Sequence, residues 1–306
     1  MKKFLSIMIL LGLLGLTYLY QNQIIEFVVL NFVYKNEFNY INVSEYQKPE
    51  FAYFKQTNNY KPLSKNDMAN IIYSNLNNGT NEFNFYCMNE YENCQKDVES
   101  ITNDMNYLSN INNFLSPYNT YNSLGISVSN LGIVNIRIDR YYDKTMINQI
   151  NQRVDEIMSQ IITNEMSDRD KIKAIHDYII DNTIYDKEKE MFINTNYSTT
   201  YESHLAYGPL FQGHGICSGY SDLMSIFLDK LNIPNYRISN DDHVWNLVFV
   251  DNQWLHIDVT WDDPVLSTGE QIISYDYFLI TTNELHTKDQ TKHEFNEELY
   301  SEAKNI

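Results

Sequence analysis

Among the 306 residues there is no run of five Lys or Arg, and the formal net charge is -18. Nucleic acid is therefore excluded as an expected partner, because a phosphate backbone is read by a basic stripe that displaces its counterions. Cysteine is scarce, at three residues, and no Cys-x-x-Cys or His-x-x-x-His spacing occurs. Structural metal sites draw their ligands from such short spacings, and no Asp/Asn-rich loop has the EF-hand pattern. No metal and no cofactor is expected. No internal repeat is visible. The chain is still globular by composition, since 43% hydrophobic residues supply ample material for a core.

The N-terminus lacks the marks of a cleaved leader. Lys2 and Lys3 precede FLSIMILLGLLGLTYLY, residues 4–20, and neither an Ala-x-Ala site nor a lipid-attachment cysteine follows. Such a stretch spans about 25 Å as a helix, close to a bilayer core, and IIEFVVLNFV adds apolar positions beyond it. The pattern predicts an uncleaved signal anchor over 1–34, single-pass in the cell membrane, with Lys2 and Lys3 cytoplasmic and the rest outside. The alternative is a core helix at the start of a cytosolic domain. Cys87 and Cys94 are close enough to pair in an oxidising compartment or to remain two buried thiols; Cys217 is left over in either case.

Residues 35–62 show no period and read as a linker. Ser64 with Asp67 predicts a helix to about Leu76, and Phe83 and Phe85 alternate as in a strand. A helix is expected over 95–108, a hairpin through Leu124–Val128 and Val134–Ile138, and a long helix carrying Met146, Ile150, Val154, Ile157 and Ile161. Residues 63–164 thus form a small α/β subdomain. Ser167 and Asp170 start another helix, in which His176 sits beside an apolar face and reads as a structural histidine. The polar stretch 187–205 reads as a surface loop near a site.

In GHGICSGYSDLMSIF, residues 213–227, Tyr220, Leu223, Met224 and Phe227 keep helical spacing, so Cys217 falls in the first turn. Free N–H groups and the dipole favour negative charge there, which suits a thiolate. The glycines around His214 would let backbone approach a substrate. Farther on, HVWNLVFV (243–250) and QWLHIDVTW (253–261) flank the short turn Asp251-Asn252. A two-residue turn sets Trp245 opposite Asp258 and His243 opposite Thr260, so that His243 and Asp258 become diagonal neighbours on one face. That is the order of parts in a nucleophile, base and orienter. His256, on the same face as Asp258, is the rival orienter.

These segments, with KIKAIHDYIIDNTIYD at 171–186, resemble the transglutaminase-like superfamily, which carries Cys, His and Asp in this order on a papain-like fold. The resemblance covers about residues 165–264. It implies Cys217 as nucleophile, His243 as general base, Asp258 as its partner, and the Cys217 N–H as an oxyanion donor. The chain departs from relatives in having no Trp before Trp245, and Gln212 stands five rather than six residues before the cysteine. Tyr185 or Tyr207 would then be the other donor, or a packing residue. The expected fold class is α+β: a papain-like, transglutaminase-like catalytic domain at 165–306, its nucleophile helix packed on an antiparallel sheet. The small subdomain and the N-terminal membrane anchor helix precede it. The expected activity is that of a membrane-anchored extracytoplasmic cysteine enzyme, peptidase, amidase or acyltransferase, working through a thioester on a protein or peptide substrate, such as one of the cell envelope. The alternative is a non-enzymatic surface scaffold or peptide-binding module that keeps the fold.

Overall fold

The computed structural model describes residues 2–34, 45–192, 200–264, 272–289 and 291–304. Two helices open the chain, α1 (Lys2–Leu19) and α2 (Gln21–Val28). No single described helix is long and apolar enough to cross a membrane; Met8–Leu19 and Gln21–Val33 together meet the length and composition, with a bend of 69° between them. Next among the described elements come α3 (Lys65–Asn77), β1 (Glu82–Tyr86), α4 (Cys94–Asn103), α5 (Met105–Asn113), β2 (Tyr121–Val128), β3 (Ile133–Arg140) and α6 (Lys144–Ile161). Ser64 caps α3 by accepting from the Asp67 N–H, as expected. The single helix expected over 95–108 is instead two, because Asp104 leaves helical geometry and caps α5 through the Tyr107 N–H. The strands form an antiparallel sheet in the order β1-β3-β2.

The second half continues with α7 (Asp168–Asn182), β4 (Ile184–Tyr185), α8 (Lys187–Phe192), β5 (His214–Gly215), α9 (Cys217–Lys230), β6 (Asn235–Ser239), β7 (Val244–Val250), β8 (Gln253–Ile257), β9 (Phe278–Ile280) and α10 (Thr282–Lys288). Ser167 and Asp170 make the full capping box of α7. Strands β6-β7-β8-β9 form an antiparallel sheet, with Val250 opposite Gln253 and Asn246 opposite Ile257. Asp251 and Asn252 both take positive φ, 54° and 64°, the geometry that lets a two-residue turn follow the strand twist. The register expected from the sequence is therefore the one formed.

Burial on both faces of this sheet explains its near-continuous apolar strands. Tyr236, Ile238, Trp245 and Leu247 join one core with Phe51, Phe54, Tyr73, Phe114 and Tyr300. Val248, Val250, Leu255 and Ile257 join the other with α6, α7 and α9. The polar residues on that second face are paired with α9: Arg237 with Asp222, Asn246 with the Ser221 carbonyl at 3.0 Å, and Asn235 with Ser225 at 2.6 Å. Each core draws residues from both sides of position 164, so residues 63–164 share their interior with the region from 165 onward.

The stretch read as a linker also departs from expectation. Residues 35–44 lie outside the described residues, but Phe51, Phe54 and Tyr60 are core residues. Lys48 is buried, and its ammonium reaches Asp229 at 2.6 Å, Ser225 at 3.1 Å, and the Asn235 carbonyl and amide oxygens at 3.0 and 2.8 Å. Four oxygens offset the cost of burying one charge. Single aromatics and one lysine in a polar context have no period, which is why this packing escaped the sequence pattern.

Candidate active site

The site lies where α9, the start of β7 and the end of β8 converge. Ile216, the N-cap of α9, makes no side-chain capping hydrogen bond, so Cys217 stands at a helix head without a side-chain cap. It is half-buried and is the free cysteine among the described residues; Cys87 and Cys94 form a disulfide. The short parallel pairing of β4 with β5 sets Tyr185 beside Gly215, two residues before the thiol. The glycines act differently from expectation. Gly213 takes a left-handed φ of 68°, and the space beside Gly215 is filled by the Tyr220 ring, 2.7 Å from where a Cβ would stand, rather than left open to a substrate.

His243 enters just before β7. Its backbone N–H is held by Asn240 Oδ1 at 2.8 Å. The imidazole Nε2 lies 2.5 Å from Asp258 Oδ2, and His243 and Cys217 line the same cleft, with Nδ1 the ring nitrogen not used by the carboxylate. Burial by itself would push this imidazole down, but the Asp258 carboxylate and the thiol outweigh it and raise its pKa to about 10. A pKa raised this far favours a positively charged ring beside the Asp258 carboxylate at neutral pH. Asp258 is buried, and burial favours its protonation; His243 and then His293 nevertheless hold it well below the usual carboxylate range. Its Oδ1 accepts from the Thr260 and Trp261 N–H groups at 3.0 and 3.1 Å.

The structure thus brings together Cys217, His243 and Asp258, and adds a residue that the sequence did not single out. His293 Nε2 lies 2.9 Å from Asp258 Oδ2. No spacing or periodicity links positions 258 and 293, so nothing local in the sequence signals the contact. Ligand atoms of His243, Asp258 and His293 lie within 4.8 Å of one another, the size of a divalent-ion site. The two ring nitrogens are each already bonded to the carboxylate, which accounts for their convergence without an ion.

The other candidates fall into place. His176 is fully buried between Asp177 at 3.0 Å and Asp262 at 3.2 Å, a structural histidine as expected. Gln212 spends its amide oxygen on the Glu202 N–H at 2.7 Å. His214 stacks on Tyr201 at 3.9 Å. Tyr207 packs on Phe211 at 4.6 Å. Burial first, then Cys217 and a hydrogen bond to Glu190, push the Tyr185 pKa far up. Within the stretch 187–205, residues 193–199 lie outside the described residues, while Lys189, His204 and Leu205 line a cleft of about 500 Å³ that also holds Cys217, Ser218, Arg237 and His243.

Residues 155–259 match the model of the transglutaminase-like superfamily core, about a third of the chain, and the match includes Cys217, His243 and Asp258 but ends before His293. Among solved structures, a TGase is 18% identical over 51% of this chain and 48% of its own, with a TM-score of 0.35. A Cytophaga hutchinsonii protein described as a candidate cysteine protease is 13% identical over 49% of this chain and 65% of its own, with a TM-score of 0.28. The chain thus spans about half the length of the first and about two thirds of the second. The comparison with curated proteins returns no match.

Proposed function

We propose that this chain is a transglutaminase-like cysteine enzyme that transfers an acyl group from an amide or peptide substrate to water or to an amine. The observation that carries the reading is one arrangement: a helix-head thiol in the same cleft as an imidazole whose Nε2 lies 2.5 Å from a buried carboxylate. In the first half-reaction the Cys217 sulfur attacks the carbonyl carbon and a C–S bond forms. The His243 Nδ1 proton passes to the leaving nitrogen as the C–N bond breaks. In the second, neutral His243 takes a proton from water or an amine, the new nucleophile opens the thioester, and sulfur leaves as thiolate. The Cys217 N–H at the helix head would bind the oxyanion, with the Tyr185 phenol as second donor.

The same reading places the enzyme outside the cytoplasm, anchored by the N-terminal helices, where a protein or peptide of the cell envelope would be its substrate. The Cys87–Cys94 disulfide supports an oxidising compartment, and the charge-free stretch after Lys2 and Lys3 supports the anchor. The test is covalent: p-nitrophenyl acetate should leave one acetyl group on Cys217, located by peptide mass spectrometry. His243→Ala should slow its formation at least a hundredfold. Acetylation at an equal rate in that variant, or none at Cys217 in the wild type, would favour a non-enzymatic scaffold.

A further inference from the structure

His293 is fully buried, and its ring is boxed by Trp261, Tyr277 and Trp245 at centroid distances of 4.7, 4.9 and 5.0 Å. Its Nδ1 has no hydrogen-bond partner among the described residues, so the ring's one polar contact is with Asp258. It meets the same oxygen that His243 uses, with the two rings at 88°. Asp258 therefore accepts two hydrogen bonds at each oxygen: backbone N–H groups at Oδ1, imidazoles at Oδ2.

The segment that delivers His293 is registered to the candidate base by one side chain. The Asn240 amide nitrogen donates to the carbonyls of Lys292 and Glu294, on either side of His293, at 2.7 and 3.1 Å. Its oxygen accepts from the His243 N–H at 2.8 Å, and its own N–H bonds the His243 carbonyl at 3.0 Å. Position 243 and position 293 are thus tied twice, through the Asp258 carboxylate and through Asn240.

We infer that His293 is a positioning residue that fixes the Asp258 carboxylate and keeps it ionised, with Asn240 setting its register; this rests on the reading of Cys217, His243 and Asp258 as an acyl-transfer triad. The need arises from the cycle. When His243 gives its proton to the leaving group, Asp258 loses the positive charge that offsets its burial. The N–H of His293 stays, so the carboxylate remains anionic and aligned for the return of the proton. Partners behind a reacting group commonly alter its activity about tenfold or more.

The test uses the full chain and the rate of Cys217 alkylation by iodoacetamide from pH 5 to 9, with urea midpoints recorded beside it. His293→Leu removes the donor and should lower the rate at pH 6 about tenfold, moving the profile towards that of a simple thiol. His293→Gln keeps an N–H near the Nε2 position and should stay within about threefold of wild type. Equal rates for the two folded variants, or an unmoved profile in His293→Leu, would overturn the proposal. If His293→Leu does not fold, His293→Gln is compared with the shorter His293→Asn, and equal rates again overturn it. A wild-type Cys217 with no rate advantage at pH 6 would instead remove the triad reading itself.

Discussion

Trp245 Nε1 donates to His256 Nδ1 at 3.0 Å, and His256 Nε2 is 2.8 Å from Thr282 Oγ1. Both ring nitrogens are spent on a structural chain that ends at the Ala303 carbonyl, 2.5 Å from Thr282 Oγ1. This rules out the rival orienter: His256 shares the strand side of Asp258 but bonds away from it. Accepting from an indole N–H requires an unprotonated Nδ1, so the ring is neutral.

A pH dependence of stability follows from the two histidines. Burial, with His293 and His286 adding to it, depresses the His256 pKa to about 3. Its contribution is present above the unfolded value of about 6.5 and is lost as pH falls from there towards about 3. His243 is raised to about 10, so its contribution is full below about 6.5 and is lost as pH rises through about 10. Stability should peak near pH 6.5. Urea midpoints measured from pH 4 to 9 check this, and His256→Gln should flatten the acid limb while leaving the alkaline one.

Lys48 tests whether residues 45–62 belong to the fold. Its side chain is 3% exposed and its partner Asp229 27%. Lys48→Met should cost about 3 kcal/mol of stability, the scale for breaking one side of a buried pair, with Cys217 reactivity unchanged in the folded protein. An unchanged urea midpoint would return this stretch to the status of a linker.

Tyr185 tests the oxyanion site. Tyr185→Phe removes the phenol O–H without changing the β4 pairing, which sets Tyr185 beside Gly215. Acyl transfer should slow by about 100-fold, while alkylation of Cys217, which builds no oxyanion, keeps its rate. Equal loss in both reactions would make Tyr185 a packing residue.

What could be read in advance had a local cause. The hairpin register followed from strand alternation and the Asp251-Asn252 turn, and helix α9 from the spacing of Tyr220, Leu223, Met224 and Phe227. His293 and Lys48 had no such cause. Each acts across a long sequence separation, 35 residues to Asp258 and 181 to Asp229, and leaves no period behind. The break at Asp104 was hidden because a cap residue inside a helical spacing changes backbone direction without disturbing the apolar pattern. The boundary near 164 had no counterpart in the interior, since both faces of the β6–β9 sheet are covered partly by residues that precede it.

The central claim is that His243 and Asp258 make Cys217 a nucleophile, and the most direct measurement is its alkylation rate as a function of pH in the wild type, His243→Ala and Asp258→Asn. The account predicts wild-type alkylation at pH 6 at least tenfold faster than a simple thiol, a rise of the rate only above pH 8 in His243→Ala, and an intermediate profile in Asp258→Asn. Three superimposable profiles, each following an ordinary exposed thiol, would contradict it.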